Sequence, residues 1–74
     1  MNICFFEQFG ENYDDEQKIF ETNVNTVPSR KDGIVIDDNM YTVKELVYCY
    51  DNENVEPTVE VFIRKKGVII WLKF

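Results

Sequence analysis

Apolar and polar residues alternate along much of this chain, and a period of two is what a β-strand with one buried face produces. The first alternating segment is Ile3–Phe9, which is rich in aromatic and β-branched residues. The second is Ile19–Val27, which ends at Pro28, a residue without the N–H group that a strand ladder needs. Both segments therefore predict strands.

The segment between these two strands, Gly10–Lys18, is polar and acidic. It fits a loop, and it fits one short helix equally well, because Asn12 or Asp14 would cap a helix and acids favour its first turn. An α+β layout is therefore an alternative, with one short helix near residues 12–20 or with Thr42–Tyr48 turned into a helix.

The clearest signal is a hairpin in residues 33–50. Runs of β-branched and aromatic residues flank the polar Asp37-Asp38-Asn39, whose side chains tolerate a left-handed backbone and bond to it locally. A polar segment of this kind between two apolar runs predicts two antiparallel strands joined by a tight turn.

The last part of the chain predicts two more strands. Pro57 marks the entry to the first of them, in which three alternating residues share one face: Val59, Val61 and Ile63. The basic run Arg64–Gly67 is predicted to be a turn. The final segment, Val68–Phe74, is apolar on both faces and is predicted to be a strand that lies centrally or against a partner.

Five or six short strands with turns about every ten residues are typical of a small all-β domain. We expect an antiparallel barrel or a highly twisted sheet of the SH3-like or OB-like type, because closure removes the exposed edges that invite aggregation. A chain of 74 residues closes around one hydrophobic core, so residues 1–74 are predicted to form a single domain.

The chain has 14 acidic and 8 basic residues and a formal net charge of −6. Such a surface repels nucleic acid and anionic membranes, so direct nucleic-acid binding is disfavoured and a protein partner is expected. The basic run Arg64-Lys65-Lys66 near Trp71 leaves a nucleic-acid-binding barrel as a minor alternative.

The N-terminal residues lack the basic start and long apolar stretch of a signal peptide, and the longest apolar run, Val68–Leu72, is too short to span a bilayer. We therefore expect a cytoplasmic protein without a membrane segment. The two cysteines, Cys4 and Cys49, are predicted to be reduced, buried and structural, because disulfide-dependent small domains carry more cysteines at denser spacing.

Histidine is absent, which removes the commonest general base, the commonest metal ligand and the usual activator of a serine or cysteine nucleophile. The only serine, Ser29, is predicted to be a turn residue. The carboxylate clusters Asp14–Glu16 and Asp37-Asp38 are interpreted as a solvated or partner-contacting face and as a hairpin turn. We therefore expect that the protein has no enzymatic activity, no cofactor and no metal site.

The aromatic residues are too many for one small core to enclose, so some are expected at the surface. Tyr48 and Tyr50 share one strand face and are followed by acids, a combination typical of protein-binding patches. Together with the acids after the first strand they give a set of candidate partner-binding residues. These are Glu11, Asp14, Asp15, Glu16, Tyr48, Tyr50, Asp51, Glu53 and Glu56.

The stretch Val27–Ile36, followed by Tyr41–Lys44, places in succession a proline, a glycine before an Ile-Val-Ile run, a short turn and a Tyr-Thr-Val strand. This hairpin resembles one seen in many small β-barrel accessory proteins of bacteriophages and mobile elements. The resemblance implies a short, acidic, non-enzymatic protein, and several classes of such proteins inhibit host defence or transcription machinery.

The first functional hypothesis is therefore a phage or prophage inhibitor whose acidic surface mimics nucleic acid and docks on the basic groove of a nucleic-acid-handling host protein. The second is an SH3-like or OB-like adaptor or structural subunit that binds through its aromatic patch. A homodimer is compatible with both, since a domain of this size gains stability from added buried surface.

Overall fold

The computed structural model describes residues 1–12, 14–50 and 56–68, and these residues form five β-strands and no helix. In chain order the strands are β1 (Asn2–Phe9), β2 (Asp15–Asn23), β3 (Gly33–Ile36), β4 (Asn39–Cys49) and β5 (Thr58–Val68). They make one sheet in the order β2-β1-β5-β4-β3, which curls strongly into a half-barrel. The prediction of a small, mainly β, barrel-like domain is confirmed.

The sheet is mixed rather than antiparallel throughout. Three of its strand pairs are antiparallel, but β1 runs parallel to β5, with Ile3 opposite Val59 and Glu7 opposite Ile63. The expectation of a purely antiparallel sheet was wrong on this point. Alternation along a strand reports which side is buried and carries no information about the strand that lies next to it.

The hydrophobic core lies on one side of the three central strands. Among the described residues the core cluster consists of Ile3, Phe5, Tyr41, Val43, Val59, Val61 and Ile63. The predicted shared face of β5 is confirmed, since all three of its core residues are fully buried. Residues 24–32 connect β2 and β3 at opposite edges of the sheet, and their Val24 and Val27 pack against the same cluster.

The hairpin of β3 and β4 is confirmed. Its two-residue turn consists of Asp37 and Asp38, whose φ angles of 50° and 65° are both in the left-handed region. The strands pair directly after it, with Ile36 opposite Asn39, and the Asn39 Nδ2 donates a hydrogen bond to the Asp37 carbonyl oxygen at 3.2 Å. Two positive φ angles are the signature of the turn whose twist matches that of the strands.

The alternative helix near residues 12–20 was wrong, because residues 15–20 belong to β2 and pair with β1. β2 also begins before the predicted Ile19 and ends at Asn23 rather than Val27. A polar strand is stable here since it lies at a sheet edge, where hydrogen bonds to β1 replace the helical ones and its charged side chains stay in water. Residues 42–48, the other helical alternative, lie in β4.

The predicted turn at Arg64–Gly67 was also wrong, because β5 continues through it to Val68. Lys65 lies opposite Tyr41 and Gly67 opposite Met40, so β4 supplies the pairing that carries the strand through this polar run. Residues 69–74, most of the predicted final strand, lie outside the described residues. Nothing in the described ranges forms a helix with the length and hydropathy that a membrane crossing requires.

Candidate functional site

Those predicted partner-binding residues that the structure describes lie at two opposite ends of the sheet. Asp15 is opposite Phe9 on β1, whereas Tyr48 is opposite Val59, which in turn lies opposite Ile3 of β1. Phe9 and Ile3 are six residues apart along β1, which corresponds to about 20 Å at the rise per residue of a strand. The fold therefore gives two separate surfaces, one acidic and one aromatic, rather than one combined site.

The acidic surface is the tip of the β1–β2 hairpin, and we call the residues Glu11, Asp14, Asp15 and Glu16 the acidic hairpin. All four are exposed, and none forms a salt bridge within the part of the chain that the structure describes. Gly10 makes the turn with a φ of 92°, and a Cβ there would lie 3.0 Å from the Asp14 carboxylate. The tip is thus compact and concentrates negative charge.

The remaining predicted acids contribute less to a described surface. The Glu56 carboxylate is exposed, but it forms an ion pair with the N-terminal ammonium group of Met1 at 3.3 Å. Asp51 and Glu53, the acids predicted to flank the tyrosines, lie outside the described residues. The negative charge that the structure places at the aromatic end is therefore partly neutralised.

The aromatic surface is the C-terminal part of β4. Val47 is 39% exposed, Tyr48 is 47% exposed, and Tyr50, directly after the strand, is 77% exposed. Tyr48 lies within the paired region of β4, since it is opposite Val59, and Cys49 is still paired with Thr58. The ring of Tyr48 is thus presented to solvent from a backbone that pairing with β5 holds in place.

Tyr48 also lines an open pocket of about 520 Å³. Six residues line this pocket, which we call the bulge pocket: Gln8, Arg30, Lys44, Glu45, Leu46 and Tyr48. The pocket lies at a β-bulge in β4. Val43 is opposite Ile63 and Glu45 is opposite Phe62, the adjacent residue of β5, so Lys44 is an extra residue without a partner in the pairing register. Bulges redirect side chains and are frequent next to functional sites.

Arg30 reaches the bulge from the loop between β2 and β3. Its Nε donates a hydrogen bond to the Lys44 carbonyl oxygen at 3.2 Å. The loop is also attached to β4 at the preceding residue, as the Lys31 N–H donates to the Val43 carbonyl and the Val43 N–H donates to the Asp32 carbonyl. Three hydrogen bonds between loop and strand therefore hold the guanidinium group at the pocket.

The turn that carries Arg30 is itself closed by short-range hydrogen bonds. The Ser29 N–H donates to the Asp32 carboxylate at 2.8 Å, and the Asp32 N–H donates to the Ser29 carbonyl at 3.1 Å. Lys31 adopts a φ of 74°, which reverses the chain. The interpretation of Ser29 as a turn residue is confirmed.

The bulge pocket carries two cations and one carboxylate on a chain whose overall charge is negative. Neither Arg30 nor Lys44 forms an ion pair with any described residue. Lys18 differs, since its ammonium group lies 2.7 Å from the Glu21 carboxylate, and this hydrogen bond raises the pKa of Lys18 and lowers that of Glu21. The positive charge of the pocket is therefore available to a ligand.

The two cysteines are free, as expected, but only Cys4 is buried. Cys49 is exposed because it alternates with Tyr48 at the end of β4, opposite Thr58 and away from the core. Burial, followed by the nearby Glu21 carboxylate, raises the pKa of Cys4, while desolvation and Glu60 raise that of Cys49. A raised pKa is the opposite of what an activated thiol nucleophile needs.

Among the described residues no three histidine, cysteine, aspartate or glutamate side chains lie close enough together to hold a metal ion. Burial, with Glu7 and Asp37 nearby, raises the pKa of the Tyr41 phenol, so it stays protonated and neutral within the core at neutral pH.

Sequence reasoning missed Arg30 and Lys44, although the chain carries a signal for the second. The core positions of β4 are Tyr41 and Val43 before the bulge, whereas Leu46 and Tyr48 lie opposite the core residues of β5 after it. Apolar positions thus change from odd to even numbers at Lys44, and such a one-residue shift within a strand indicates a bulge. No comparable signal marks Arg30, since a loop brings it to the site.

No protein-family model matches this chain, no curated protein is significantly similar to it, and no solved structure matches its fold.

Proposed function

We propose that this chain is a non-enzymatic protein-interaction domain that binds its partner through the aromatic end of β4 and the bulge pocket beside it. The observation that carries the proposal is the position of Tyr48, which lines the pocket and is also half exposed. Tyrosine combines a large apolar ring with a hydroxyl group, and it is enriched at the energetic centres of protein interfaces.

The backbone of this surface supports the proposal. Tyr48 and Leu46 lie opposite Val59 and Val61, so the strand that presents them pairs with β5 over the hydrophobic core. A backbone that is already fixed by strand pairing loses little conformational freedom when a partner binds, and therefore less of the interaction free energy is spent on ordering it.

Truncation of Tyr48 should weaken partner binding strongly. We expect Tyr48→Ala to raise the dissociation constant by roughly 30-fold, which corresponds to about 2 kcal/mol, the typical loss at an interface hot spot. The partner would be captured with the wild-type chain from the cells that produce it, purified, and titrated against both forms by calorimetry.

Phe20→Ala is the matched control, because Phe20 is 44% exposed and lies on the edge strand β2 rather than on β4. It should change the affinity less than about twofold, since exposed residues outside an interface contribute little. Because the Phe20 ring lies 6.1 Å from that of Phe5, its variant should melt at a lower temperature, and circular dichroism at the titration temperature would show that both variants are folded. Equal losses of affinity in the two variants, or the absence of any partner that binds the wild-type chain, would contradict the proposal.

The acidic hairpin favours a second function, in which it mimics nucleic acid and docks on the basic groove of a nucleic-acid-handling protein. The observation behind it is that four exposed carboxylates at one end of the sheet form no salt bridge with described residues. The resemblance of the β3–β4 hairpin to phage accessory proteins implies that such a protein would inhibit a host protein. Clustered charge acts mainly by accelerating encounter with an oppositely charged surface.

The two functions differ in their dependence on salt. If the acidic hairpin is the docking surface, the variant Glu11→Gln/Asp14→Asn/Asp15→Asn/Glu16→Gln should associate at least about tenfold more slowly at low ionic strength. The difference should nearly vanish at about 1 M salt, where the Debye length is roughly 3 Å. Stopped-flow association rates with the purified partner measure this, and a variant with wild-type rates at low salt would exclude the mimicry.

A further inference from the structure

We propose that the bulge pocket binds a carboxylate group of an acidic peptide segment in the partner, which rests on the proposed function and specifies its ligand. The ligand is a glutamate or aspartate side chain of the partner that enters the bulge pocket and is flanked by apolar residues. Such a ligand matches the charge, the hydrogen-bond donors and the apolar wall of the pocket.

The charge of the pocket selects an anion. Arg30 and Lys44 both line it, and neither has an ion-pair partner among the described residues. Within the described ranges Arg30 makes one side-chain hydrogen bond, which uses its Nε, so the two terminal nitrogens remain as donors on the fork that fits a carboxylate. A carboxylate would thus receive charge-assisted hydrogen bonds from a side chain that is already held in position.

The geometry of the pocket reduces the cost of binding. The loop of Arg30 is attached to β4 by hydrogen bonds of 2.8 and 2.9 Å at Val43, immediately before the bulge. The bulge places Lys44 and Glu45 where a regular strand would hold one residue opposite Phe62. Arginine and lysine are therefore brought to one pocket by local structure, and a ligand need not draw them together.

The other lining residues favour a peptide carboxylate over a phosphate. Glu45 adds a negative charge, which repels a dianion more strongly than a monovalent carboxylate. Gln8 carries an amide that donates to a carboxylate oxygen, and Leu46 and Tyr48 form an apolar wall for neighbouring peptide side chains. The partner segment that fits best is acidic at one position and apolar on either side of it.

The test uses two peptides that differ in charge alone, acetyl-Gly-Leu-Glu-Leu-Gly-amide and its glutamine analogue. Each is titrated into the isotope-labelled full chain up to about 10 mM, with inorganic phosphate as a third ligand, while backbone amide shifts are followed by NMR. We expect the glutamate peptide to shift the amides of residues 44–46 and to bind at least about tenfold more tightly than the glutamine peptide, the difference that charge-assisted hydrogen bonds produce.

Lys44→Gln and Arg30→Gln should each remove most of this preference, whereas Lys31→Gln should keep it. Lys31 is the matched control because it is an exposed cation next to Arg30 that does not line the pocket. Equal affinity for the two peptides, tighter binding of phosphate, equal losses in the Lys31 and Lys44 variants, or no binding of the glutamate peptide would each overturn the inference.

The outcomes also separate this inference from the proposed function. If both peptides bind equally and Tyr48→Ala abolishes both, the aromatic surface is the binding site and the carboxylate specificity is wrong. If the glutamate preference depends on Lys44 and Arg30 but partner binding is unaffected by Tyr48→Ala, the pocket binds a carboxylate and the proposed interface is wrong.

Discussion

Ile63→Ala should lower the free energy of unfolding by about 2–5 kcal/mol, the range for removing a buried isoleucine side chain. Ile63 is fully buried at the centre of the core, on the strand that β1 and β4 flank on either side. A cavity at this place removes contacts from both neighbours at once. A domain of this length is stable by only roughly 4–11 kcal/mol, so the loss is a large fraction of the total.

Urea unfolding followed by tryptophan fluorescence or circular dichroism measures this change. The control is Val35→Ala, because Val35 lies on the edge strand β3 and is 53% exposed. Its unfolding free energy should fall by less than about 1 kcal/mol, the span of strand propensities. Similar losses in both variants would show that β5 is not the centre of the core.

The double substitution Asp37→Val/Asp38→Val should lower the free energy of unfolding by about 2–4 kcal/mol. Both residues have positive φ angles, and a left-handed backbone costs an L-residue roughly 1–2 kcal/mol, with β-branched side chains among the least tolerant. Aspartate lessens this cost by hydrogen bonding locally, which valine cannot do. The variant would strain the turn that joins β3 to β4.

The matched variant is Asp37→Asn/Asp38→Gly, which places at the same two positions the pair that this turn type favours most. It should be at least as stable as the wild-type chain, and thermal unfolding of the three proteins would establish the order. A valine variant as stable as the wild type would mean that the turn does not have the described conformation.

The candidate site was only partly predictable from the sequence. The exposure of Tyr48 and Tyr50 follows from an excess of aromatic residues and from their place at the end of an apolar run. The association of Tyr48 with Arg30 does not, because the two residues are 18 positions apart and only the passage of the β2–β3 loop along β4 brings them to one pocket. Nor does the separation of these tyrosines from the acidic hairpin, since only the strand register places them at opposite ends of the sheet.

The sequence by itself determined the mainly β class, the β3–β4 turn and the buried face of β5, because each depends on neighbouring residues and on a period of two. Asp37 and Asp38 specify their turn through their own backbone preferences, and Val59, Val61 and Ile63 specify a face through alternation. Only the tertiary structure decided the parallel pairing of β1 with β5, the strand conformation of residues 15–18 and the continuation of β5 through Arg64–Gly67. These features depend on hydrogen bonds to a neighbouring strand, which is close in the chain for residues 15–18 and distant for the other two, and local side-chain preferences do not encode which strand supplies them.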